Sequence, residues 1–304
     1  MLLYTHPACL AHDPGKGHPE SPARLRAVLD ALDGPGFARL VRHEAPRATR
    51  EQLARVHGTE LIDAIHAATP SVGHAQLDAD TAMSPDSLEA ALRAAGAVCS
   101  AVDALIDGED TRAFCAVRPP GHHATRDTAM GFCLFNNVAA GAAQALTRGL
   151  ERVAIVDFDV HHGNGTQDIF WNEPRVLYAS THQSPLYPGT GARAETGTGN
   201  IVNAPLPPGA GSAEFRAAFA ANIAPALRDF RPQLVMISAG FDAHRLDPLA
   251  SLEFEAEDFA WVTHELVDIA REHAGGCVVS SLEGGYSLIA LRESTAAHVA
   301  ALME

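Results

Sequence analysis

Two aspartates and a histidine recur with a period of two inside VAIVDFDVHHGNGTQ at 153–167: Asp157, Asp159 and His161. The residues just before them, Val153 to Val156, are apolar and mostly β-branched. That composition suits a strand buried on both faces. Alternate residues of a strand point to one side, so the three polar groups converge at its C-terminal end. Open α/β sheets hold their ligands at that end. Buried carboxylates beside an imidazole are costly unless something neutralises them. A divalent metal would do so, with Asp159 and His161 as a first pair of ligands. On this stretch alone, a hydrogen-bonded Asp–His network without metal accounts for them equally well.

Further polar groups follow other apolar runs. Ala113–Val117 leads into Arg118-Pro119-Pro120-Gly121-His122-His123, where the prolines and the glycine impose a sharp turn. Leu234–Ser238 leads to Asp242, with His244 and Asp247 beyond it, and Gly276–Ser281 leads to Tyr286. Chance scatter would not keep choosing strand ends. Asp159, His161 and Asp242 supply three oxygen and nitrogen ligands, as a catalytic zinc site with an open fourth position requires. Two carboxylates harden the donor set, so Fe2+, Co2+ or Mn2+ would compete with Zn2+. Such a metal lowers the pKa of a water and polarises a carbonyl. His122 or His123 would serve as general base and then general acid. Tyr286 would donate to an oxyanion, a contribution of about 3 kcal/mol. Together these groups describe hydrolysis of an amide.

The elements that position them alternate strand and helix. Leu2–Thr5 reads as a first strand. Ser21-Pro22 opens a helix over Ala23–Leu32, with Leu25, Val28, Leu29 and Leu32 on one face. Short helices are predicted over Thr49–Val56 and Thr59–Ala68. Asp86 is placed to cap a long alanine-rich helix, Ser87–Ile106, whose Gly96 signals close packing. Helices over Asn137–Leu146, Thr166–Trp171, Ser212–Phe230 and Glu255–His273 follow, with a strand at Arg175–Ser180 and a final helix after Tyr286. The Gly- and Pro-rich stretch Gln183–Asn200 is too long for a plain connector and is a candidate active-site loop. No linker or repeat interrupts the pattern. It predicts one α/β domain over residues 1–304, with a parallel sheet covered on both faces.

Composition narrows the partners. The chain of 304 residues is 47% hydrophobic and carries a net charge of -15, which argues against nucleic acid, since phosphate binding needs a basic surface. An acidic surface tolerates cationic substrates such as lysine tails or polyamines. The five cysteines, Cys9, Cys99, Cys115, Cys133 and Cys277, form no CxxC pair and indicate neither a disulfide framework nor a cysteine zinc site. No signal peptide or membrane span is read, so a cytoplasmic protein without membrane partners is expected. His6, His12 and His18 are read as loop or rim residues.

The polar motifs also carry a resemblance. RPPGHHA at 118–124, GFCLFNN at 131–137, DFDVHHGNGTQ at 157–167, YPGTG at 187–191, SAGFDAH at 238–244 and LEGGYS at 282–287 resemble the zinc-dependent histone deacetylase superfamily. The match is best to its class II branch of bacterial deacetylase-like amidohydrolases and acetylpolyamine amidohydrolases. HPESPARL at 18–25 matches too, and the resemblance spans nearly the whole chain. It implies the arginase-deacetylase fold, an eight-stranded parallel sheet between helices. It implies Asp159, His161 and Asp242 as zinc ligands. His123 becomes the general base, supported by Asn164, and His122 its electrostatic companion, supported by Asp157. Tyr286 becomes the transition-state tyrosine; some relatives carry histidine there and are poor catalysts. Phe132 and Tyr187 would wall a channel for an acyl-lysine stem, and the Gly131 carbonyl would face the substrate amide. Tyr187 departs from the more usual phenylalanine. Asp80 would hold substrate backbone at the rim. Leu249 lies where polyamine-selective relatives carry an acidic gatekeeper. Structural K+ is implied near Asp157, Asp159, His161, Ser180 and Thr181. Asp247 competes with Asp242 as a ligand, and the SAGFD match selects Asp242.

The leading expectation is therefore a zinc-dependent deacylase acting on acylated lysine side chains, acetylated polyamines or other small acyl-amines. Its rivals are a silent binder of acylated ligands, which the complete set of catalytic residues disfavours, and an arginase-like ureohydrolase. The latter needs a binuclear manganese site with more carboxylates than the chain offers. Some relatives assemble so that one subunit shapes another's channel, and a homo-oligomer is compatible with the resemblance.

Overall fold

The apolar runs assemble into one sheet in the computed structural model, which describes all residues from Met1 to Glu304. In chain order the strands are β1 (Leu2–Thr5), β2 (Val41–Glu44), β3 (Ala75–Gln76), β4 (Ala82–Met83), β5 (Arg112–Cys115), β6 (Val153–Asp157), β7 (Val176–Gln183), β8 (Ile201–Leu206), β9 (Leu234–Ala239) and β10 (Val278–Leu282). β3 and β4 form a small antiparallel pair. The other eight form a sheet in the order β2-β1-β5-β10-β9-β6-β7-β8. All of its pairings are parallel. The arginase-deacetylase sheet implied by the motifs is thus present.

Every residue of β6, β9 and β10 is buried, so helices cover both faces. Ser87–Ile106 packs on Asn137–Thr147 in one layer, and Ala256–His273, Leu288–Leu302 and Pro22–Leu32 pack together in another. The core is one contiguous cluster of 82 buried residues. Gly96 allows the long helix its close approach: a Cβ there would lie 2.0 Å from the carbonyl oxygen of Pro46. The four adjacent strands β5, β10, β9 and β6 are those whose ends carry His122 and His123, Tyr286, Asp242, and the 157–161 motif. Sheet order therefore brings together residues up to about 160 positions apart.

Several elements differ from the sequence reading. β2 and β8 were not predicted. β2 is an edge strand reading VRHE, with little burial and no apolar alternation. β8 contains Pro205 and emerges directly from the 183–200 loop. β6 stops at Asp157, so Asp159 and His161 lie on the loop beyond it. Side chain to backbone bonds fix the bend of that loop over 159–161. Asp157 Oδ1 accepts the Asp159 N–H at 3.1 Å, and Asp159 Oδ1 accepts the His161 N–H at 2.9 Å. Asp86 and Ser21 precede their helices but make no side-chain cap bond. The predicted helix over 212–230 is continuous in space and contains a π turn at Phe219–Ile223.

Candidate active site

Asp159, His161 and Asp242 meet at the C-terminal edge of the sheet, all buried, with one ligand atom from each within 4.8 Å of the others. His161 Nδ1 lies 3.2 Å from Asp159 Oδ1 and 3.1 Å from Asp242 Oδ2. Backbone amides orient the carboxylates. The Gly284 N–H donates to Asp159 Oδ2 at 2.8 Å and the Val160 N–H to Asp242 Oδ1 at 2.9 Å. Two glycines make room: a Cβ at Gly240 would sit 2.0 Å from Asp159 Oδ2, and one at Gly284 2.1 Å from Asp242 Oδ2. Burial opposes charge on His161, yet its bonds to Asp159 and Asp242 raise its pKa to about 10. Burial and Asp159 raise Asp242 to about 7. Two buried carboxylates thus draw a cation to one point. Oxygen, nitrogen and oxygen donors in this arrangement fit a divalent metal.

Asp247, the rival ligand, stands apart from this cluster. Its Oδ2 accepts the N–H groups of Tyr286 and Ser287 at 2.6 and 3.2 Å, and its Oδ1 that of Leu249 at 3.0 Å. It ties the loop after β9 to the loop that carries Tyr286.

His122 and His123 lie side by side with ring centroids 4.0 Å apart, but their partners differ. His122 Nδ1 is 3.0 Å from Asp157 Oδ2, and His123 Nδ1 is 2.8 Å from Asn164 Oδ1. Burial disfavours charge on both. For His122, Asp159 and Asp157 outweigh burial and hold its pKa well above the usual imidazole value. For His123, burial is reinforced by His122 and His161, and its pKa falls well below that value. His123 is therefore the neutral member. An acceptor at Nδ1 assigns its proton there and leaves the Nε2 lone pair free.

His123 and His161 line a cavity of about 250 Å³ together with Gly131, Phe132, Tyr187 and Tyr286. Asp80, Leu186 and Leu249 complete its wall. The Tyr187 ring stands edge-on to His123 with centroids 5.2 Å apart, and the Phe132 ring edge-on to Tyr286 at 5.8 Å. Burial, opposed by Arg24 and reinforced by Asp242, keeps the Tyr286 phenol protonated far above neutral pH. The site thus brings together the cluster, the histidine pair with its two supports, and the walls and rim, while Asp247 stands apart.

Residues 18–302 match the model of the histone deacetylase domain. This chain belongs to the histone deacetylase family. It is 42% identical over 278 residues to a histone deacetylase-like amidohydrolase of Pseudomonas aeruginosa, covering 89% of this chain and 73% of that protein. It is 40% identical to a probable deacetylase of Archaeoglobus fulgidus, covering 93% of this chain and 80% of the relative. The solved structure of the HDA15 HD domain superposes with a TM-score of 0.94 at 37% identity, covering all of this chain and 88% of that one. The protein is a hydrolytic enzyme of the deacetylase and amidohydrolase type.

Other residues of this deacetylase-family site escaped the sequence reading. Glu283 is fully buried and accepts the N–H groups of Gly121 and His122 at 2.6 and 3.1 Å, fixing the turn that presents the histidine pair. Burial lifts its carboxyl to about 7. Glu20 is buried between Arg118, Arg24 and His12. Arg24 in turn donates to the Gly285 carbonyl at 2.6 Å and lies 4.8 Å from the centre of the Tyr286 ring. The signal available for these residues was a charged residue inside an otherwise recognised motif: Glu283 in LEGGYS, and Glu20 and Arg24 in HPESPARL. No helix of the chain is long and apolar enough to cross a membrane.

Proposed function

We infer that this protein removes an acetyl or other short acyl group from a lysine-like amine, with zinc at Asp159, His161 and Asp242. The observation that carries the reading is the unequal histidine pair, His123 against the Asn164 amide and His122 against the Asp157 carboxylate, beside a three-ligand cluster whose His161 lines the same cavity as His123. A divalent cation at the cluster would lower the pKa of a water and polarise the scissile carbonyl. His123 Nε2 takes the proton of the attacking water and later returns it to the leaving amine. Asn164 holds the tautomer that leaves Nε2 free, and Asp157 keeps His122 charged and in place. The Tyr286 hydroxyl donates to the oxyanion as it develops. Phe132 and Tyr187 flank the acyl-lysine stem, with the Gly131 carbonyl facing the amide N–H.

The rim favours a lysine-like amine over a free polyamine. Leu249 supplies no charge there. The one carboxylate lining the cavity, Asp80, already accepts from the Gly131 N–H and the Thr81 hydroxyl. A structural potassium ion between the end of β6 and the middle of β7 belongs to the same proposal. Its support is that Asp157 and Ser180 are register partners and both are fully buried.

The test is amine release by purified, zinc-loaded protein from an acetyl-lysine peptide, a longer acyl-lysine peptide and an acetylated polyamine. Turnover is expected on the acyl-lysines, and Tyr286→Phe should lose roughly 100-fold or more in kcat, the value of one oxyanion donor. Absence of turnover on all three, with one metal bound per chain, would refute the deacylase reading.

A further inference from the structure

We propose that Thr81 is a positioning residue that sets the fit of the channel around the acyl-lysine stem, by holding Phe132 in a left-handed backbone conformation. The inference rests on the deacylase reading, because it requires a channel that grips a stem. Gly131 and Phe132 both have positive φ, +58° and +67°. Glycine accepts that region freely. A phenylalanine does not, because its Cβ crowds the backbone. Arg231 is the only other non-glycine residue of the chain in that region. Phe132 holds that conformation while its side chain lines the cavity.

The restraint comes from two neighbouring residues of one segment. Thr81 Oγ1 accepts the Phe132 N–H at 3.0 Å, and Asp80 Oδ1 accepts the Gly131 N–H at 3.2 Å. The Thr81 hydroxyl donates to the same Asp80 oxygen at 2.9 Å, which closes the pair into one unit. The segment is itself fixed. Asp78 Oδ1 accepts the N–H groups of Asp80 and Thr81 at 2.9 and 2.7 Å, and His18 Nε2 lies 3.1 Å from the Asp80 carbonyl oxygen. His18 also stands edge-on to the Phe132 ring with centroids 4.6 Å apart. Thr81 is only 1% exposed and does not line the cavity, so its hydroxyl reaches substrate only through the two groups it holds, the Phe132 backbone and the Asp80 carboxylate. A wall that touches the stem equally in the bound and transition states contributes uniform binding. Its loss therefore raises KM and spares kcat.

Three variants separate the hydroxyl from the methyl group. Thr81→Val keeps the shape and loses the hydroxyl, Thr81→Ala loses both, and Thr81→Ser keeps the hydroxyl alone. On an acetyl-lysine peptide, Val and Ala should raise KM about tenfold with kcat within threefold of wild type, and should narrow the preference between acetyl and longer acyl groups. Ser should stay within twofold of wild type throughout. Calorimetric binding of the same peptide to metal-free protein reads the wall without the chemistry, and should weaken about tenfold in Val and Ala only. If Val does not fold, the comparison of Ala with Ser decides. Wild-type constants in Val and Ala, an equal defect in Ser, or a fall in kcat alone that is the same for every acyl group would each overturn the role of Thr81. An inactive wild type would instead sink the deacylase reading, and peptide binding would then judge the clamp alone.

Discussion

Replacing Asp247 by asparagine separates a metal ligand from a strut. Its carboxylate accepts three backbone N–H groups, from Tyr286 and Ser287 on one oxygen and from Leu249 on the other. Asparagine retains one acceptor oxygen, so whichever way the amide turns, its NH2 faces a backbone N–H. Hydrogen bonds to a charged acceptor contribute about 1.5–3 kcal/mol each, and an unsatisfied buried donor costs about 1–3 kcal/mol. Asp247 is 7% exposed, so little water enters to compensate. Asp247→Asn should therefore lose roughly 2–4 kcal/mol of stability, a fall in Tm of roughly 3–6 °C for a chain of 304 residues. The larger effect is local. The shortest of the three bonds, 2.6 Å, ends on the backbone of Tyr286 itself. A misplacement of about 1 Å at a reacting group costs on the order of 100-fold. We expect kcat on an acetyl-lysine peptide to fall 10- to 100-fold, with bound metal unchanged at one per chain. Steady-state kinetics, metal analysis and a thermal melt on the same preparation read all three quantities. Loss of the metal would make Asp247 a ligand, and an unchanged kcat would show that Tyr286 needs no such support; either result refutes the reasoning.

Three further outcomes follow from the geometry. Gly284→Ala puts a Cβ 2.1 Å from Asp242 Oδ2 and 2.6 Å from Asp159 Oδ2, so zinc affinity measured by chelator competition should weaken at least tenfold; an unaltered affinity contradicts the crowding argument. His57 is held neutral because burial pushes its pKa down to about 4 from 6.5. Between those values the unfolded chain binds a proton that the folded one refuses, so stability falls as pH falls, by up to about 1.4 kcal/mol per pH unit. His57→Gln should remove one proton from that slope in urea titrations between pH 7 and pH 4.5, and an identical slope would show that His57 is not the group responsible. Exchange of potassium for sodium should lower the melting temperature if Asp157 and Ser180 flank a structural cation, and equal melting in both salts rules that cation out.

What the chain reveals before folding depends on whether a feature is written in one segment or between segments. β6, β9 and β10 were legible because strands buried on both faces need unbroken apolar runs. β2 was not, because an exposed edge strand gains little from apolar residues, and its VRHE carries none of the alternation that marks a half-buried strand. The capping expectation failed at Asp86 for a local reason. Ser87 supplies its hydroxyl to the Ser84 N–H at 2.7 Å, so the turn before that helix is organised from inside the helix.

In the site, the candidate reacting side chains were legible, and of their holders only Asp157 and Asn164 were named, through the family resemblance. Asp159, His161, Asp242 and Tyr286 stand at the ends of apolar runs, where polar residues demand an explanation. Spacing left open which histidine the proposed mechanism uses as base, because the two differ only in partners 35 and 41 residues away, Asp157 and Asn164; the family resemblance is what pointed to His123. Glu283 and Thr81 were missed, and Asp247 was weighed only as a rival ligand or a loop turn, because each acts on main-chain N–H groups. A backbone donor is present at every residue but proline, so an acceptor that serves one leaves no matching side chain to find. The same holds for Gly240 and Gly284, whose value lies in the Cβ they lack beside two carboxylates. The chemistry here is thus carried by side chains and its geometry by the backbone. The acceptors that fix that backbone are where substitutions should disturb rate or affinity without touching a reacting atom.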